Sequence, residues 1–471
     1  MANSLKFGTS GLRGLASELV GEEARRYAAA FVRYLRAGGW GGSTMLVGRD
    51  LRDSSPAIFR DVAEAMGAFG IEVRDAGEVP TPALALAAQT QRLPAIMVTG
   101  SHIPGDRNGM KFYRADGSEI DKDDEAGVLA AVADAPEGVA RIVPDAGVRQ
   151  GYLDRYRNFA PPSVFSDLRS TFGIWQHSSV ARDVLTEILR DLGAPAVAFG
   201  RSESFVPVDT EAVSAELVRE PRAWIERNGQ ALVLSTDGDG DRPLVIDEAG
   251  EVVPGDILGM FTARLLKADA VVTPITSISS VEGFCADAKV FRTKVGSPYV
   301  IAGMREAAAE GFKRVLGFEA NGGVLLGFTA SSNGNAIAPL PTRDAVLPIL
   351  CTLAFASNAG ESVHGVVGAL PQRFARSDRL QNVPPQAGAA LIETLKSGLF
   401  TRFEKLADRV REDHTDGYKA WIHPADIVHF RPSGNAPELR CYVEAGSAAE
   451  ADALLKWAMR AAADYVSSPA A

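Results

Sequence analysis

The chain has 471 residues, 46% of them hydrophobic and 23% charged, which is typical of a globular protein of about three domains. Its net charge of −10, with no cluster of lysine and arginine interleaved with aromatic residues, argues against nucleic-acid binding. The N-terminus lacks a signal-peptide core and no apolar run reaches the roughly 18 residues of a membrane span, so we expect a cytoplasmic protein outside the membrane.

Short apolar runs alternate with amphipathic stretches along most of the chain. In the first unit, this pattern predicts strands over 44–47, 72–75 and 95–98 and a helix over 56–69. The last of these strands leads into the polar segment TGSHIPGDRNGMKFY. The alternation of strand, loop and helix indicates α/β layers with a parallel or mixed sheet.

The same alternation recurs twice further along the chain. The second unit is predicted to contain strands over 171–175, 196–199 and 231–234 and helices over 180–192 and 223–228. For the third unit, the predicted elements are helices over 254–266 and 299–310 and strands over 270–273 and 314–316. Three units of similar construction are therefore expected.

The C-terminal region has a different pattern, with predicted helices over 389–396 and 448–465 and strands over 427–431 and 439–443. We therefore predict an α/β protein in which three similar mixed-sheet domains precede a smaller α+β domain. The predicted boundaries give domains at 1–146, 147–250, 251–364 and 365–471.

Each unit carries a polar, glycine-rich segment, and the α/β units carry it after an apolar strand, where open α/β sheets place ligands. The first segment is predicted to be one loop over 99–111, and it contains Ser101, with His102 and Lys111 as candidates to activate its hydroxyl. Pro104 and Asn108 equally suit a plain turn in which Ser101 caps a helix. Taken alone, the segment leaves both interpretations open.

The second segment places Asp237, Asp239 and Asp241 at alternate positions, from which their carboxylates can converge on one hard cation. An EF-hand calcium loop does not fit, because Arg242 stands where that loop requires glycine and apolar, strand-like runs replace the flanking helices. Mg²⁺ acting together with phosphate oxygens fits better.

The third segment, GFEANGG, offers Glu319 and Asn321 for hydrogen bonds to vicinal hydroxyls, although by itself it also suits a surface turn. The fourth segment combines guanidinium, hydroxyl and amide groups with exposed backbone N–H groups, in Arg431, Ser433, Gly434, Asn435 and Arg440. It suits either a phosphate cradle or an ordinary turn. Together the four segments indicate one ligand, a phosphorylated sugar.

In this order, the four segments resemble those of the α-D-phosphohexomutase superfamily, over nearly the whole chain. Ser101 lies in a T-x-S-H-x-P…N-G-x-K pattern, where the family carries its phosphoserine. The resemblance implies four domains around a central cleft, with Ser101 and the three aspartates as Mg²⁺ ligands. It also implies that the GFEANGG segment binds the sugar and that the fourth segment binds phosphate.

Further residues match positions that act in this family. Lys111 and Arg242 resemble groups that assist proton transfer beside the phosphoserine, and Arg13 resembles an N-terminal arginine that faces the active site. Lys294 and Gly296 match a loop that helps to fix the substrate. The resemblance thus adds catalytic roles for Lys111, Arg242, His102 and Arg13.

The chain departs from the family pattern at four positions. Ile103 stands where the family often has asparagine, and Gly323 and Ser297 stand where some members have histidine. Asn321 replaces the serine of the sugar segment. These departures leave open which group acts as acid or base on the sugar side.

The resemblance implies an isomerase that interconverts hexose 6-phosphate and hexose 1-phosphate, with a 1,6-bisphosphate as intermediate and activator. The sequences GFEANGG and TGSHIPGDRNG most resemble those of family members that act on mannose phosphates, with glucose or glucosamine phosphates as alternatives. A phosphoserine hydrolase and a non-catalytic sugar-phosphate-binding protein are alternatives of other classes. We expect a monomer or a dimer that binds a small phosphosugar.

Overall fold

The structure, a computed structural model, describes residues 4–8, 10–135, 138–157, 159, 163–168, 170–229, 231–332, 335–371, 373–422, 426–433 and 437–467. Within these ranges, the larger sheets are three mixed sheets followed by one antiparallel sheet. No helix in the same ranges is both long and apolar enough to cross a membrane.

The first unit is built on a mixed sheet whose central strand, Ala95–Val98, is a fully buried apolar run. Its elements are β1 (Lys6–Phe7), β2 (Leu12–Leu15), α1 (Ala16–Leu19), α2 (Glu22–Ala37), β3 (Thr44–Arg49), α3 (Ser55–Ala68), β4 (Glu72–Glu78), α4 (Thr81–Gln91), β5 (Ala95–Val98), β6 (Arg107–Tyr113), α5 (Lys122–Ala130) and β7 (Ile142–Pro144). The strand order is β1-β2-β6-β5-β3-β4-β7. Because β6 pairs antiparallel with β5, Lys111 lies opposite Met97, close to the loop that follows β5.

The second unit ends in a hairpin that carries Asp237, Asp239 and Asp241, called the aspartate segment below. Its elements, with two preceding helices, are α6 (Gly147–Tyr156), α7 (Ser163–Leu168), β8 (Thr171–His177), α8 (Arg182–Asp191), β9 (Ala196–Arg201), α9 (Arg219–Asn228), β10 (Ala231–Thr236) and β11 (Pro243–Ile246). The strand order is β11-β10-β8-β9. The antiparallel pair β10–β11 closes with Thr236 opposite Pro243, so residues 237–242 form the hairpin loop.

The third unit repeats this hairpin. Its elements are α10 (Gly255–Leu265), β12 (Ala270–Pro274), α11 (Val281–Phe284), β13 (Lys289–Thr293), α12 (Ser297–Ala309), β14 (Val315–Phe318), β15 (Val324–Leu326), β16 (Ala330–Ser332), β17 (Asn335–Ile337), β18 (Leu340–Asp344), α13 (Val346–Ala359) and α14 (Val363–Gly368). The strand order is β13-β12-β14-β15-β18. Phe318 pairs with Val324, and the loop between them holds Glu319 and Asn321.

The C-terminal unit is an antiparallel sheet of order β19-β23-β22-β21-β20 packed against helices. Its elements are β19 (Phe374–Gln381), α15 (Pro385–Lys396), a 3₁₀ turn (Glu404–Leu406), β20 (Arg411–Asp413), β21 (Tyr418–Trp421), β22 (Ile427–Pro432), β23 (Glu438–Ala445) and α16 (Ala448–Ser467). Alternation of buried and less buried residues along β23 is what a sheet with one covered face produces.

The first three units are joined by a common apolar core, and the fourth unit has a separate one. One cluster of buried side chains extends from Leu46 in β3 through Phe172 and Leu316 to Val366 in α14, and so links the three mixed-sheet units. The C-terminal unit has a core of its own, between Val383 and Tyr465. The first three units therefore share a core, whereas the fourth packs as a separate body.

The predicted fold class is confirmed, as three mixed-sheet α/β units are followed by an antiparallel α+β unit. The prediction of one loop over 99–111 is wrong in its second half. Strand β6 begins at Arg107 and carries Lys111 in its middle. Apolar Met110 and Phe112 alternate with polar Lys111, which is a strand pattern, but the alternation is short. The glycine and proline residues just before it favour a loop, so the sequence alone does not reveal this strand.

Candidate active site between the domains

Ser101 lies at the end of β5, fully buried, with its backbone in the left-handed region at φ 54°. Its Oγ donates a hydrogen bond of 2.7 Å to Oδ2 of Asp237, and its N–H donates to Oγ1 of Thr99 at 2.7 Å. A left-handed backbone at a residue other than glycine costs about 1–3 kcal/mol and persists only where its surroundings hold it. The hydroxyl is therefore held toward the aspartate segment.

Arg52 holds this strained loop, and the sequence analysis did not single it out. Its guanidinium is buried and donates to the backbone carbonyls of Ser101, Ile103, Pro104 and Arg107 at 2.6–2.9 Å. Gly100 packs against the same group, since a Cβ there would lie 2.7 Å from Cζ of Arg52. A single arginine thus closes the loop around Ser101, by contacts that no local sequence pattern reveals.

The aspartate segment is a fully buried cluster of three carboxylates. One oxygen from each of Asp237, Asp239 and Asp241 lies within 4.8 Å of the others. Oδ1 of Asp239 and Oδ1 of Asp241 are buried and accept no hydrogen bond in the described residues. Buried unpaired carboxylate oxygens are costly, and convergent ones suit a divalent cation. The group fits metal binding.

Thr81, the first residue of α4, stabilises the negative charge of this cluster through its hydroxyl and its backbone N–H. Thr81 donates from its hydroxyl to Oδ2 of Asp239 at 2.6 Å and from its N–H to the carbonyl of the same residue at 2.9 Å. Two contacts from one helix N-terminus fix Asp239 and favour its negative charge. Thr81 is a second residue that the sequence analysis missed.

Lys111 is the cation that neutralises part of this cluster. Its Nζ donates to Oδ2 of Asp239 and to Oδ2 of Asp241, both at 2.6 Å. Burial by itself favours the neutral amine, but the two carboxylates outweigh it, and the pKa of Lys111 is raised above its ordinary value. Lys111 is therefore protonated at neutral pH and is a proton donor rather than a base in this state.

His102 lies beside the serine, with Nδ1 at 3.3 Å from Oγ of Ser101. Burial, followed by the charges of Arg242 and Arg13, lowers the pKa of His102 well below its ordinary value. The imidazole is thus neutral at neutral pH.

Two arginines bring unpaired donors to the same region. Nη2 of Arg13 and Nε of Arg242 are buried without a hydrogen-bond acceptor among the described residues. Burial, together with the nearby positive charges of Arg242 and Arg343, lowers the pKa of Arg13 to about 10. Such crowding of cations with free N–H groups is what an anionic ligand would relieve.

The predicted sugar segment, residues 317–323, is held in place by hydrogen bonds to Glu319 and Asn321. Oε2 of Glu319 accepts from Oγ of Ser297 at 3.0 Å and from Nη1 of Arg343 at 2.9 Å. Oδ1 of Asn321 accepts the N–H of Gly323 at 3.0 Å, which shapes the turn. Arg343 is a third residue that the sequence analysis missed.

The other predicted residues lie further out. Gly296, at φ 128°, caps α12, and Lys294 is exposed with Nζ 5.8 Å from the ring centre of Tyr299. Arg431 and Arg440 are cross-strand neighbours on β22 and β23. Nε of Arg431 donates to Asp416 at 2.6 Å, while its Nη1 and Nε of Arg440 are buried without a partner in the described residues.

The backbone N–H of Ser433 donates to the carbonyl of Glu438 at 2.8 Å. The predicted phosphate-binding residues Gly434 and Asn435 lie outside the described residues. Asp416 also accepts the N–H of Val295 at 3.1 Å, so Arg431 of the fourth unit and the loop before α12 share one carboxylate.

Comparison with known proteins agrees with this arrangement. Models of the phosphoglucomutase/phosphomannomutase family match the chain in three parts. Its α/β/α domain I matches residues 4–138, domain II residues 150–250, and domain III residues 254–374.

Two relatives named phosphomannomutase cover nearly the whole chain. One from Sinorhizobium fredii is 46% identical and covers 96% of this chain and 97% of its own, and one from Salmonella muenchen is 39% identical, covering 95% and 94%. A phosphoglucosamine mutase from Rhodococcus jostii is 32% identical over 73% of this chain and 82% of its own.

Solved structures share the fold. A phosphoglucomutase/phosphomannomutase family protein from Burkholderia thailandensis superposes with a TM-score of 0.78 at 22% identity, covering 98% of each chain. Taken together, these matches and the four-unit architecture define an isomerase of hexose phosphates, a phosphohexomutase. The chain belongs to the phosphoglucomutase/phosphomannomutase family.

Proposed function

We propose that this enzyme interconverts mannose 6-phosphate and mannose 1-phosphate through a phosphorylated Ser101 and an enzyme-bound mannose 1,6-bisphosphate. The observation that carries the proposal is the hydrogen bond from Ser101 Oγ to Asp237, beside two buried carboxylate oxygens that accept no hydrogen bond from the described residues. The names of the relatives that are 46% and 39% identical support mannose as the sugar.

Asp237, Asp239 and Asp241, with an oxygen on Ser101, would hold Mg²⁺, which supplies positive charge to offset that of the transferring phosphoryl group. Arg13 and Arg242 would add their unpaired N–H donors on the same side. Arg52 would keep Ser101 in its strained position while its oxygen changes between hydroxyl and phosphate.

Transfer in one direction breaks the P–O bond at Ser101 and forms a P–O bond to the free hydroxyl of the sugar, whose proton must leave. The Ser101 oxygen takes up one proton from protonated Lys111, the donor nearest to the aspartates, and the proton that leaves the sugar hydroxyl restores the charge of Lys111. The bisphosphate then turns around in the cleft and returns its other phosphoryl group to Ser101, so that atoms and charge balance over the cycle.

The fourth unit would hold the phosphate that does not react. Arg431 and Arg440 present buried guanidinium nitrogens on adjacent strands, which have no hydrogen-bond partner in the described part of the chain, and Ser433 follows directly after β22. A free hexose 1,6-bisphosphate would act as an activator by phosphorylating Ser101. The expected ligand is thus a small phosphosugar, bound between the first three units and the fourth.

The direct test is a comparison of kcat/KM for mannose 1-phosphate, glucose 1-phosphate and glucosamine 1-phosphate, with Mg²⁺ and the matching bisphosphate. We expect mannose 1-phosphate to have the highest value. Glucosamine 1-phosphate is the competing substrate, since relatives about one-third identical are named phosphoglucosamine mutase. A higher kcat/KM for either other sugar contradicts the proposed specificity.

Ser101→Ala tests the phosphoserine itself. Without the oxygen that carries the phosphoryl group, mutase turnover should fall by about 10³-fold or more, while the melting temperature stays close to that of the wild type. Ser170→Ala is the matched control, because this buried hydroxyl donates only to the carbonyl of Leu168. Full turnover by Ser101→Ala would show that the phosphate is carried elsewhere.

A further inference from the structure

Arg343, on β18, is a buried arginine that joins the aspartate segment to the sugar segment. Nε and Nη2 donate to Oδ2 of Asp241 at 3.1 and 2.8 Å. Nη1 donates to Oε2 of Glu319 at 2.9 Å and to Oγ of Ser297 at 2.6 Å. Nη2 also reaches Oγ of Ser10 at 3.2 Å.

These bonds use the whole donor capacity of the side chain. A guanidinium carries five N–H groups, and the five contacts of Arg343 engage all of them. Only 3% of the residue is exposed. Arg343 therefore has no donor left for a substrate, whereas Arg13 and Arg242 each keep a buried nitrogen that has no hydrogen-bond acceptor among the described residues.

The bonds also select which oxygens remain available. On Asp241, Lys111 and Arg343 engage Oδ2, whereas Oδ1 accepts no hydrogen bond in the described residues and lies 3.7 Å from Nε of Arg242. On Glu319, Ser297 and Arg343 engage Oε2, and Oε1 receives no hydrogen bond from the described part of the chain. Each carboxylate is thus held by one oxygen and presents the other.

Two of the departures from the family pattern, Gly323 and Ser297, contact Arg343. A Cβ on Gly323 would lie 2.7 Å from Cδ and 2.8 Å from Cγ of Arg343, so this position must lack a side chain while the arginine is in place. Ser297 supplies a hydroxyl to Nη1. The residues at 297 and 323 are therefore fitted to the arginine.

We propose that Arg343 is a positioning residue, which sets Asp241 for the metal and Glu319 for the sugar through one guanidinium. Rotation of the Asp241 or the Glu319 carboxylate would break a hydrogen bond to the planar guanidinium of Arg343. The arginine therefore fixes the orientation of the two carboxylates relative to each other. This inference rests on the proposed mutase function, but its metal-binding consequence is measurable without any substrate.

The first experiment compares Arg343→Gln with Arg292→Gln. Arg292 is the matched control, because it lies in the same unit and binds Glu282 and the carbonyls of Pro274, Ser277 and Ile278. Three quantities are measured: kcat/KM for mannose 1-phosphate, the Kd for Mn²⁺ of the metal-free enzyme by electron paramagnetic resonance, and the melting temperature.

For Arg343→Gln, kcat/KM should fall about 10- to 100-fold and the Kd for Mn²⁺ should rise by a similar factor, as is usual when a residue behind a ligand is lost. Arg292→Gln should lower the melting temperature and leave both other quantities unchanged. A wild-type Kd for Mn²⁺ in folded Arg343→Gln overturns the inference. If the wild-type enzyme does not turn over mannose 1-phosphate, the proposed specificity fails, yet the Mn²⁺ measurement still tests Arg343.

A double-mutant cycle tests the fit at Gly323. Gly323→Ala should displace Arg343 and lower kcat/KM with the same rise in the Kd for Mn²⁺. In an Arg343→Ala background, the same change should have little further effect, because the crowded part of the side chain has gone. Equal and independent losses from the two substitutions would overturn the coupling.

Discussion

At the scale of single residues, burial decides the pH at which the side chain of Asp256 becomes charged. Asp256, in the first turn of α10, is 8% exposed, and its Oδ2 accepts the N–H of Ile278 at 3.1 Å. Burial raises the pKa of Asp256 from 3.8 to about 6, even though this hydrogen bond favours the charged form. Above pH 6, the folded protein therefore holds a desolvated carboxylate.

The sign of the pH dependence follows from this shift. Between pH 3.8 and 6, the folded protein keeps the proton of Asp256 whereas the unfolded chain loses it. The contribution of this group to the free energy of unfolding is thus fully present below pH 3.8 and is lost as the pH rises through 6.

Asp256→Asn should raise the melting temperature by about 2 °C at pH 8, because the amide is neutral and keeps an oxygen for Ile278. At pH 5, where the folded protein keeps most of this proton but the unfolded chain has largely lost it, the gain should be clearly smaller. Differential scanning fluorimetry at the two pH values measures it, with the exposed Asp408→Asn as control. An equal gain at both values would contradict the assignment.

At the scale of elements, the start of α10 supports the sugar segment from behind. A Cβ on Gly255 would lie 2.3 Å from the carbonyl oxygen of Ala320 and 2.3 Å from the nitrogen of Gly322. Both neighbours are backbone atoms, which cannot rotate away as a side chain can. The loop that holds Glu319 is therefore packed directly onto the helix.

Gly255→Ala should lower the free energy of unfolding by about 2 kcal/mol and reduce kcat/KM by about 10- to 100-fold, since the loop must move. Gly283→Ala, in helix α11 of the same unit, is the control, because a Cβ there meets nothing within 4 Å. Chemical denaturation and the coupled mutase assay give the two quantities. A variant at 255 that behaves like the one at 283 would show that the loop is not so constrained.

At the scale of the whole molecule, the fourth unit is attached to the third by a few polar contacts. Glu444 accepts from the N–H and hydroxyl of Ser279 at 2.6–3.1 Å. Nζ of Lys419 donates to the carbonyl of Ile275 at 2.7 Å. Because the fourth unit has a core of its own, these contacts bear directly on how β22 and β23 face the other units.

Glu444→Ala should loosen the fourth unit and raise KM for the sugar phosphate by about 5- to 10-fold, with a smaller change in kcat. Small-angle scattering should show a larger radius of gyration. Asp452→Ala is the control, since its ion pair with Arg376 lies within the fourth unit. An unchanged KM together with an unchanged radius would argue against a role for this contact.

Local spacing was sufficient to predict the parts of the site that lie within single segments. Three aspartates at alternate positions after an apolar strand indicate a cation site, because all three come from one hairpin loop. The strands at 95–98 and 270–273 were likewise predicted correctly, since continuous apolar runs mark buried strands.

By itself, the sequence thus determined the fold class, the family and the residues that each segment offers. Only the tertiary structure decided how those segments are held together. Arg343 meets Ser10 across 333 residues of chain, and Arg52 reaches Ser101 across 49, so neither lies within the span that periodicity or spacing can inform. An arginine becomes a positioning group through the acceptors that folding brings to it, and for Arg343 these come from three separate units of the molecule.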